Sequence, residues 1–464
     1  MIDREAVRDN AKYLRQVRPI DPAEIREYVE GQPHPAVVRR VLREEAFDLR
    51  LFECEDGTFV PAEEGPVSPP EWGPTAFPDR YANALEDLLV ERFGVDWHEG
   101  ESGDHLREAI RRLKRDYFWE NPVEYDETAA LGYAVYHLPD YYAAVGYVLD
   151  DLAERELLSR PLRVLDVGAG VGGPALGLHD YLPDDAVVDY DAVEPSDAET
   201  VLDRLLAETR RNFRTTIHRE TAEAHDPDGA YDLLLFANVF SELDDPVAVV
   251  ERYLDALADD GSVVALAPAD LNTSTGLRDV ERAVVDDGRA TVYSPTLRLW
   301  PGESPADRGW SFDVQADVDA PDFQRRLDEA GDDPGAFINE TVQYSHVILR
   351  RDGKRRFEVT ADPERFAKMA AMERHVTERI NLLAVKSSHD LSEGDNPLFK
   401  ISDGSEAVEH YAVLTRESTL NDDLRRADYG AILAFENVLV LWNEDEAAYN
   451  LVVDGETVVD LVAE

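Results

Sequence analysis

Apolar residues recur every three or four positions over residues 4–17, 22–29 and 34–47, which predicts three short helices, the second capped by Asp21 ahead of Pro22. Residues 49–54 and 58–62 then alternate about Asp56-Gly57, a strong hairpin signal. Three helices and a two-stranded wing form a winged-helix arrangement with Arg39, Arg40 and Arg43 on its third, recognition-type helix. The same module also serves for docking onto protein, so nucleic-acid contact is one of two readings. Periodicity lapses over residues 64–80, where Pro66, Pro69, Pro70, Pro74 and Pro78 mark a linker. Helical spacing returns over 81–93 and 105–118, and Leu138-Pro139-Asp140-Tyr141-Tyr142 opens a further helix to about 155.

The pattern then changes to short apolar runs. Residues 163–167 read as a strand running into Gly168-Ala169-Gly170-Val171-Gly172-Gly173-Pro174 and a helix through Tyr181. Glycines allow a tight turn and close backbone approach to a ligand, and the following helix N-terminus favours negative charge. A second strand over 187–193 ends at Glu194, 22 residues beyond Gly172, where an acid accepts the two hydroxyls of a ribose. Strands over 231–236 and 261–267 continue the βα alternation of a doubly wound sheet. The glycine run fits dinucleotide and S-adenosylmethionine templates alike. Asp166 separates them, because a carboxylate there suits a sulfonium cofactor bearing an amino group and repels a pyrophosphate. The central region is therefore expected to be α/β, a class I (Rossmann-like) methyltransferase sheet. Asp166, Gly168, Gly170, Gly172, Glu194 and Asn238 are its candidate S-adenosyl-L-methionine residues, the last in Ala237-Asn238-Val239-Phe240-Ser241-Glu242-Leu243 after the fourth strand.

Beyond 356 a helix over 363–375 and strands over 380–386, 398–402, 410–415, 431–441 and 448–453 predict a small OB-like β-barrel. Such barrels bind single-stranded nucleic acid by stacking, with Tyr411, Tyr429, Phe435 and Trp442 as platforms or, equally, as core. Arg350, Arg351, Lys354, Arg355 and Arg356 are the densest basic stretch, an RNA-binding candidate or a plain turn. The domains expected are 1–63 winged-helix-like, 64–80 linker, 81–137 helical, 138–356 methyltransferase-like and 357–464 OB-like.

Composition changes how this is read. The net charge is −51, with 98 acidic against 47 basic residues, yet 44% of the chain is hydrophobic, enough for a real core. Six of the basic residues are lysine and acid is spread throughout, the pattern expected in a salt-rich cytoplasm where repulsion is screened within about 3 Å near 1 M. The charge then reports the solvent and does not exclude nucleic acid. A single cysteine, Cys54, excludes intramolecular disulfides and thiolate metal sites within the chain. No run reaches the length of a membrane span and the start is charged, so the expected location is cytoplasmic. Cytosine C5 transfer needs a cysteine nucleophile, and Cys54 lies in the wing. Ribose 2′-O transfer of the lysine-dependent kind finds no lysine between Lys114 and Lys354. The Asn/Asp-Pro-Pro-aromatic signature of exocyclic amine transfer lacks its prolines at 238–241. Transfer by proximity and alignment remains, and no catalytic residue is assigned.

Pro139-Asp140-Tyr141-Tyr142-Ala143-Ala144, the Leu165-to-Gly170 loop, Val193-Glu194-Pro195-Ser196, Phe240-Ser241-Glu242-Leu243 and Gln343-Tyr344-Ser345-His346-Val347-Ile348-Leu349-Arg350 are informative in combination. Over about 135–355 the chain resembles the methyltransferase-like family of small-ribosomal-subunit assembly factors, as a haloarchaeal-type member. The resemblance implies association with the small ribosomal subunit or its rRNA, and methylation of it. Relatives carry a cysteine cluster after the fifth strand. Here the stretch from Tyr293 to Phe312 has none, so no metal cluster is expected and packing around Trp300, Trp310 and Phe312 must hold it. A catalytically silent assembly factor and a small-molecule methyltransferase with a regulatory winged helix are the alternatives.

Overall fold

A computed structural model describes residues 2–119, 121, 123 and 125–464. The chain divides into two compact units, Met1–Leu235 with Val318–Glu340, and Phe236–Asp317 with Thr341–Glu464.

The first unit begins with α1 (Arg4–Leu14), α2 (Pro22–Ile25), α3 (Pro35–Glu44) and the hairpin β1 (Leu51–Glu53) and β2 (Phe59–Pro61). Their apolar faces meet in one core of Val7, Ala11, Val38, Leu42, Leu51 and Phe59. The hairpin closes at Gly57, whose φ of +82° suits glycine. Its first strand is tied to the segment ahead of a later strand. Glu53 N–H donates to Asn212 Oδ1 at 2.9 Å, and Asn212 Nδ2 returns a bond to Glu53 O at 3.0 Å. The buried Glu53 carboxylate accepts from Arg43 at 2.8 Å. Arg43 thus serves an internal ion pair, while Arg40 stays exposed beside Glu44.

Next come α4 (Asp79–Phe93), α5 (Gly100–Phe118) and α6 (Glu127–Ala153). The proline-rich stretch before them is a packed strap: Val67 N–H donates to Leu158 O at 2.7 Å and Trp72 Nε1 to Ala143 O at 2.9 Å. Trp72 lies against Gly146, where any Cβ would fall 2.1 Å from the indole. Helix α6 starts eleven residues before the predicted opening and runs through Pro139. Proline removes the bond to the carbonyl four residues back. The buried Gln324 supplies the missing donor, its Nε2 reaching Val135 O at 2.8 Å and Tyr136 O at 3.2 Å.

The central elements are β3 (Pro161–Val167), α7 (Gly173–Tyr181), β4 (Val187–Val193), α8 (Ala198–Leu206), β5 (Phe213–His218), β6 (Tyr231–Ala237), α9 (Pro246–Leu254), β7 (Leu257–Pro268), α10 (Leu271–Asp286), β8 (Thr291–Ser294), β9 (Asp313–Gln315), α11 (Asp322–Glu329) and β10 (Val342–Arg350). In the first unit the strands run β5-β4-β3-β6, all parallel, with near-continuous apolar stretches on β3 and β4 as burial on both faces requires. Gln324 of α11 belongs to this unit. In the second unit β10 pairs antiparallel with β7, β8 and β9.

The second unit ends in β11 (Arg379–Lys386), β12 (Leu398–Ser402), β13 (His410–Leu414), α12 (Asp423–Arg426), β14 (Ile432–Asn443), β15 (Ala448–Val453) and β16 (Val458–Ala463). The order β11-β12-β13-β15-β14 closes through a β11–β14 pairing into a five-stranded barrel, with β13 and β15 parallel. The sixth strand, β16, pairs along β14 and was not anticipated. The helix expected over 363–375 is confined to a 3₁₀ segment, Met369–His375. Phe435 lies in the barrel core, and the half-buried Tyr429 exchanges a 2.8 Å hydroxyl bond with Ser311. Tyr411 and Trp442 are half-buried.

The segment between β8 and β9 is clasped to the barrel by polar contacts as well as packing. Trp300 Nε1 donates to Asp403 Oδ2 at 2.7 Å, and Trp310 Nε1 to Ala269 O at 3.0 Å. Lys400 Nζ sits 3.1 Å from both Asp307 and Glu409, all three buried, with Arg282 on Asp307 and Arg308 on Glu409. Among the described residues no group of three His, Cys, Asp or Glu is placed to hold a metal ion, and no helix is long and apolar enough to cross a membrane.

Candidate functional site

The glycine loop joins the end of β3 to α7. Gly168, Gly170 and Gly172 have φ of +75°, +54° and +93°, left-handed values that an L side chain resists. Gly168 and Ala169 N–H both donate to Val193 O, at 2.9 and 3.1 Å, which pins the loop across the end of β4. A Cβ on Gly172 would meet Leu202 at 2.7 Å. One on Gly170 would meet nothing within 4 Å, so the loop is open there.

Glu194 follows β4, as its spacing predicted. Its Oε2 accepts from Gly170 N–H at 2.8 Å, and its Oε1 from the N–H and Oγ of Ser196 at 2.8 and 2.5 Å. The carboxylate is thus oriented by the loop it faces, with lone pairs left over for a diol. Asp166 is fully buried. Its Oδ2 accepts from the Tyr190 hydroxyl on β4, while Oδ1 is buried with no hydrogen-bond partner. Burial pushes its pKa up to about 7, opposed by the Tyr190 bond and reinforced by the Glu194 charge.

Helix α7 has glycine at its N-cap and no side chain capping it; Pro174 carries no N–H and Leu176 N–H donates to Gly172 O at 3.0 Å, so Gly173 and Ala175 supply the amides at the head of the helix for an anionic group. The α6 turn at Leu138–Tyr142 packs on its first residue: a Cβ on Gly173 would lie 3.1 Å from Tyr141 Cβ and 3.4 Å from Leu138 O. Asn238 belongs to the second unit, directly after β6. It has φ +58°, which asparagine tolerates, and its N–H donates to Leu266 O at 2.9 Å. The first unit therefore brings together Asp166, Gly168, Gly170, Gly172 and Glu194. Tyr190 and Ser196 were not anticipated. Serine two residues after the strand-end acid is a recognisable turn signal, but a lone tyrosine in an apolar strand reads as core.

The five basic residues after β10 are placed differently from one another. Arg350 is fully buried, bonding Ser262 Oγ at 2.6 Å, Asp260 O at 2.8 Å and Asp352 at 2.6 Å. Arg351 donates to Leu254 O at 3.0 Å and Arg355 to Arg298 O at 2.7 Å. Lys354 is exposed beside Asp352, and Arg356 lies over the Phe357 ring.

A glycine loop open at Gly170, an orphaned buried carboxylate oxygen, a helix start without a side-chain cap and an oriented strand-end acid fit a nucleoside with a charged amino-acid tail. Residues 140–317 match a family model described as a methyltransferase domain. Residues 4–55 and 370–462 match the N-terminal and C-terminal domains of a family described as a domain of unknown function, DUF8157. Among solved structures, the chain is similar to the O-methyltransferase NcsB1 from neocarzinostatin biosynthesis in complex with S-adenosylmethionine, at 13% identity and TM-score 0.31, covering 75% of this chain and 95% of that one. The mitomycin 7-O-methyltransferase MmcR matches at 14% and 0.30, over 75% and 94%. The plantazolicin methyltransferase BpumL, in complex with SAH, matches at 12% and 0.29, over 58% and 98%. No curated protein matches the chain. The protein carries a class I methyltransferase domain and is an S-adenosylmethionine-dependent methyltransferase. When bound, that cofactor supplies an activated methyl group. Glu194 would hold its ribose, the α7 amides its carboxylate and Asp166 its amino group.

Proposed function

We propose that the protein methylates RNA of the small ribosomal subunit, or acts on that RNA during assembly. The observation that carries this reading is the appended barrel. Its order β11-β12-β13-β15-β14, closed and with its third and fifth strands parallel, is compatible with the OB-like modules that hold single-stranded nucleic acid against aromatic platforms. Tyr411 and Trp442 are the half-buried aromatics available for stacking. The resemblance of residues 135–355 to small-subunit assembly factors points to the same substrate. In a chain of charge −51 such binding leans on stacking and hydrogen bonds, because counterion release contributes little in high salt.

A second reading, a small-molecule acceptor, is favoured by the burial of Arg350 and the main-chain bonds of Arg351 and Arg355, which commit three of the five basic residues of that stretch to the fold itself. Mass spectrometry of small-subunit rRNA from strains with and without the gene separates the two. A methyl group missing in the deletion strain supports rRNA modification. Identical methylation together with no co-sedimentation with subunit precursors at high potassium leaves the small-molecule reading.

A further inference from the structure

The kinked turn of α6 carries an ionisable pair that the cofactor cradle does not use. His137 Nδ1 lies 3.3 Å from Asp140 Oδ2, one helical turn apart, with the side chains 24% and 13% exposed. Asp140 Oδ1 is buried with no hydrogen-bond partner. Nε2 of His137 has no partner among the described residues. Its ring is stacked on Tyr141 at 5.1 Å and 8°, meets Tyr136 edge-on at 4.8 Å and tilts against Tyr133 at 5.0 Å. Tyr141 is the side chain whose Cβ crowds Gly173 at the head of α7. The pair and its aromatic surround therefore sit one side chain from the helix start that receives the methyl donor.

The kink is built, not incidental. Pro139 stands between the two partners, and Gln324 takes up both Val135 O and Tyr136 O. Asn339 Nδ2 adds a second bond to Tyr136 O at 3.1 Å, and Asn339 N–H donates to Gln324 Oε1 at 3.0 Å. These bonds fix the backbone directly ahead of His137.

We propose that His137 accepts the proton displaced in methyl transfer from an acceptor bearing an N–H or O–H nucleophile, that Asp140 is its positioning residue, and that Tyr133, Tyr136 and Tyr141 hold the imidazole ring in place. The inference rests on the methyltransferase reading. Asp140 draws the proton of the neutral imidazole to Nδ1, which turns the Nε2 lone pair outward. As the acceptor's lone pair forms its bond to the methyl carbon, the C–S bond breaks with its electrons kept by sulfur. The acceptor's proton passes to Nε2, the imidazolium is held by Asp140, and water removes the proton afterwards. An imidazole base suits an N–H or O–H nucleophile on a nucleobase in RNA and on a small aromatic molecule alike.

The test uses the full chain, its His137→Gln and Asp140→Asn variants, and two acceptor arms: small-subunit particles from the deletion strain, and free nucleosides with simple phenols. Calorimetric affinity for S-adenosylmethionine is expected to stay within about twofold in both variants. Transfer by His137→Gln is expected to fall by about 10²-fold or more in kcat, the range of a lost general base. Asp140→Asn is expected to lose about tenfold in kcat with the acceptor KM unchanged, since the imidazole loses the carboxylate that orients it. Wild-type transfer by His137→Gln overturns the proposal. If the wild-type protein transfers to neither arm, both proposed acceptor readings fail. The place of His137 at the acceptor is then judged by its carbethoxylation, read by peptide mass spectrometry: protection by particles or nucleosides keeps the proposal, and unchanged labelling overturns it.

Discussion

At Asp166, burial and cofactor chemistry pull in opposite directions. The folded chain holds the carboxyl up at about 7, against 3.8 for the free side chain, because β3 and β4 exclude water from it. A pKa raised on folding means that the native state binds more protons than the unfolded chain between those values. The stabilisation is therefore complete below about pH 4 and lost as pH climbs to 7, by up to about 1.4 kcal/mol per unit. Asp166→Asn keeps an acceptor for the Tyr190 hydroxyl and removes the ionisation. Urea unfolding of the variant is expected to flatten between pH 4 and 7 where the parent declines. An ammonium group beside Asp166 restores its charge, so cofactor binding near pH 6.5 is expected to release a proton. Calorimetry in buffers of different ionisation enthalpy reads that proton, and Asp166→Asn abolishes it. An unchanged proton count would remove Asp166 from the cofactor's amino group. Asp166 and Glu194 were legible because acid types at those offsets from glycines have a chemical reason to be there. Tyr190 was not, since only β3–β4 pairing brings it to Asp166.

Among the elements, α6 shows where local reading fails. Pro139 reads as a helix start, because proline fits a first turn and damages an interior. The helix passes through it because Gln324, 189 residues from Val135, donates to the carbonyl that the proline leaves open. No local pattern encodes such a partner. Gln324→Leu is expected to cost about 1–3 kcal/mol, the range for a buried acceptor left without its donor. Pro139→Ala restores the helical N–H, so the double variant is expected to lose less than Gln324→Leu alone, and thermal unfolding of all four proteins closes the cycle. Additive losses would show that Gln324 acts by packing. Elsewhere period and turn residues were sufficient. The Asp56-Gly57 turn marks its hairpin, and the five barrel strands and the first unit's β3 and β4 are short runs rich in apolar residues. Strand β5 was missed because Arg214, Thr215 and Thr216 give it little apolar signal at the edge of its sheet. The 3₁₀ segment at Met369–His375 and the pairing of β16 along β14 depend on tertiary contact.

Across the molecule, a charge of −51 acts through two populations of carboxylates that salt treats differently. Exposed ones repel one another over a Debye length of about 10 Å at 0.1 M, shrinking to about 3 Å at 1 M. Buried ones such as Asp307 and Glu409 are already neutralised, by Lys400 at 3.1 Å together with Arg282 and Arg308, and screening reaches them weakly. Lys400→Met removes one partner of a buried ion cluster and leaves two carboxylates to be desolvated, a loss of about 3–5 kcal/mol. The midpoint of thermal unfolding is expected to rise with KCl between 0.1 and about 2 M in the parent, as self-repulsion of the folded surface is screened. It is expected to level off once the Debye length falls below the spacing of surface charges. The Lys400→Met curve should run parallel and lower, its deficit constant with salt, because the lost attraction lies inside the second unit. A deficit that closes as KCl rises would place the Lys400 cluster among the screened surface charges, and a midpoint indifferent to KCl would show that the exposed acids are balanced locally by the arginines paired with them.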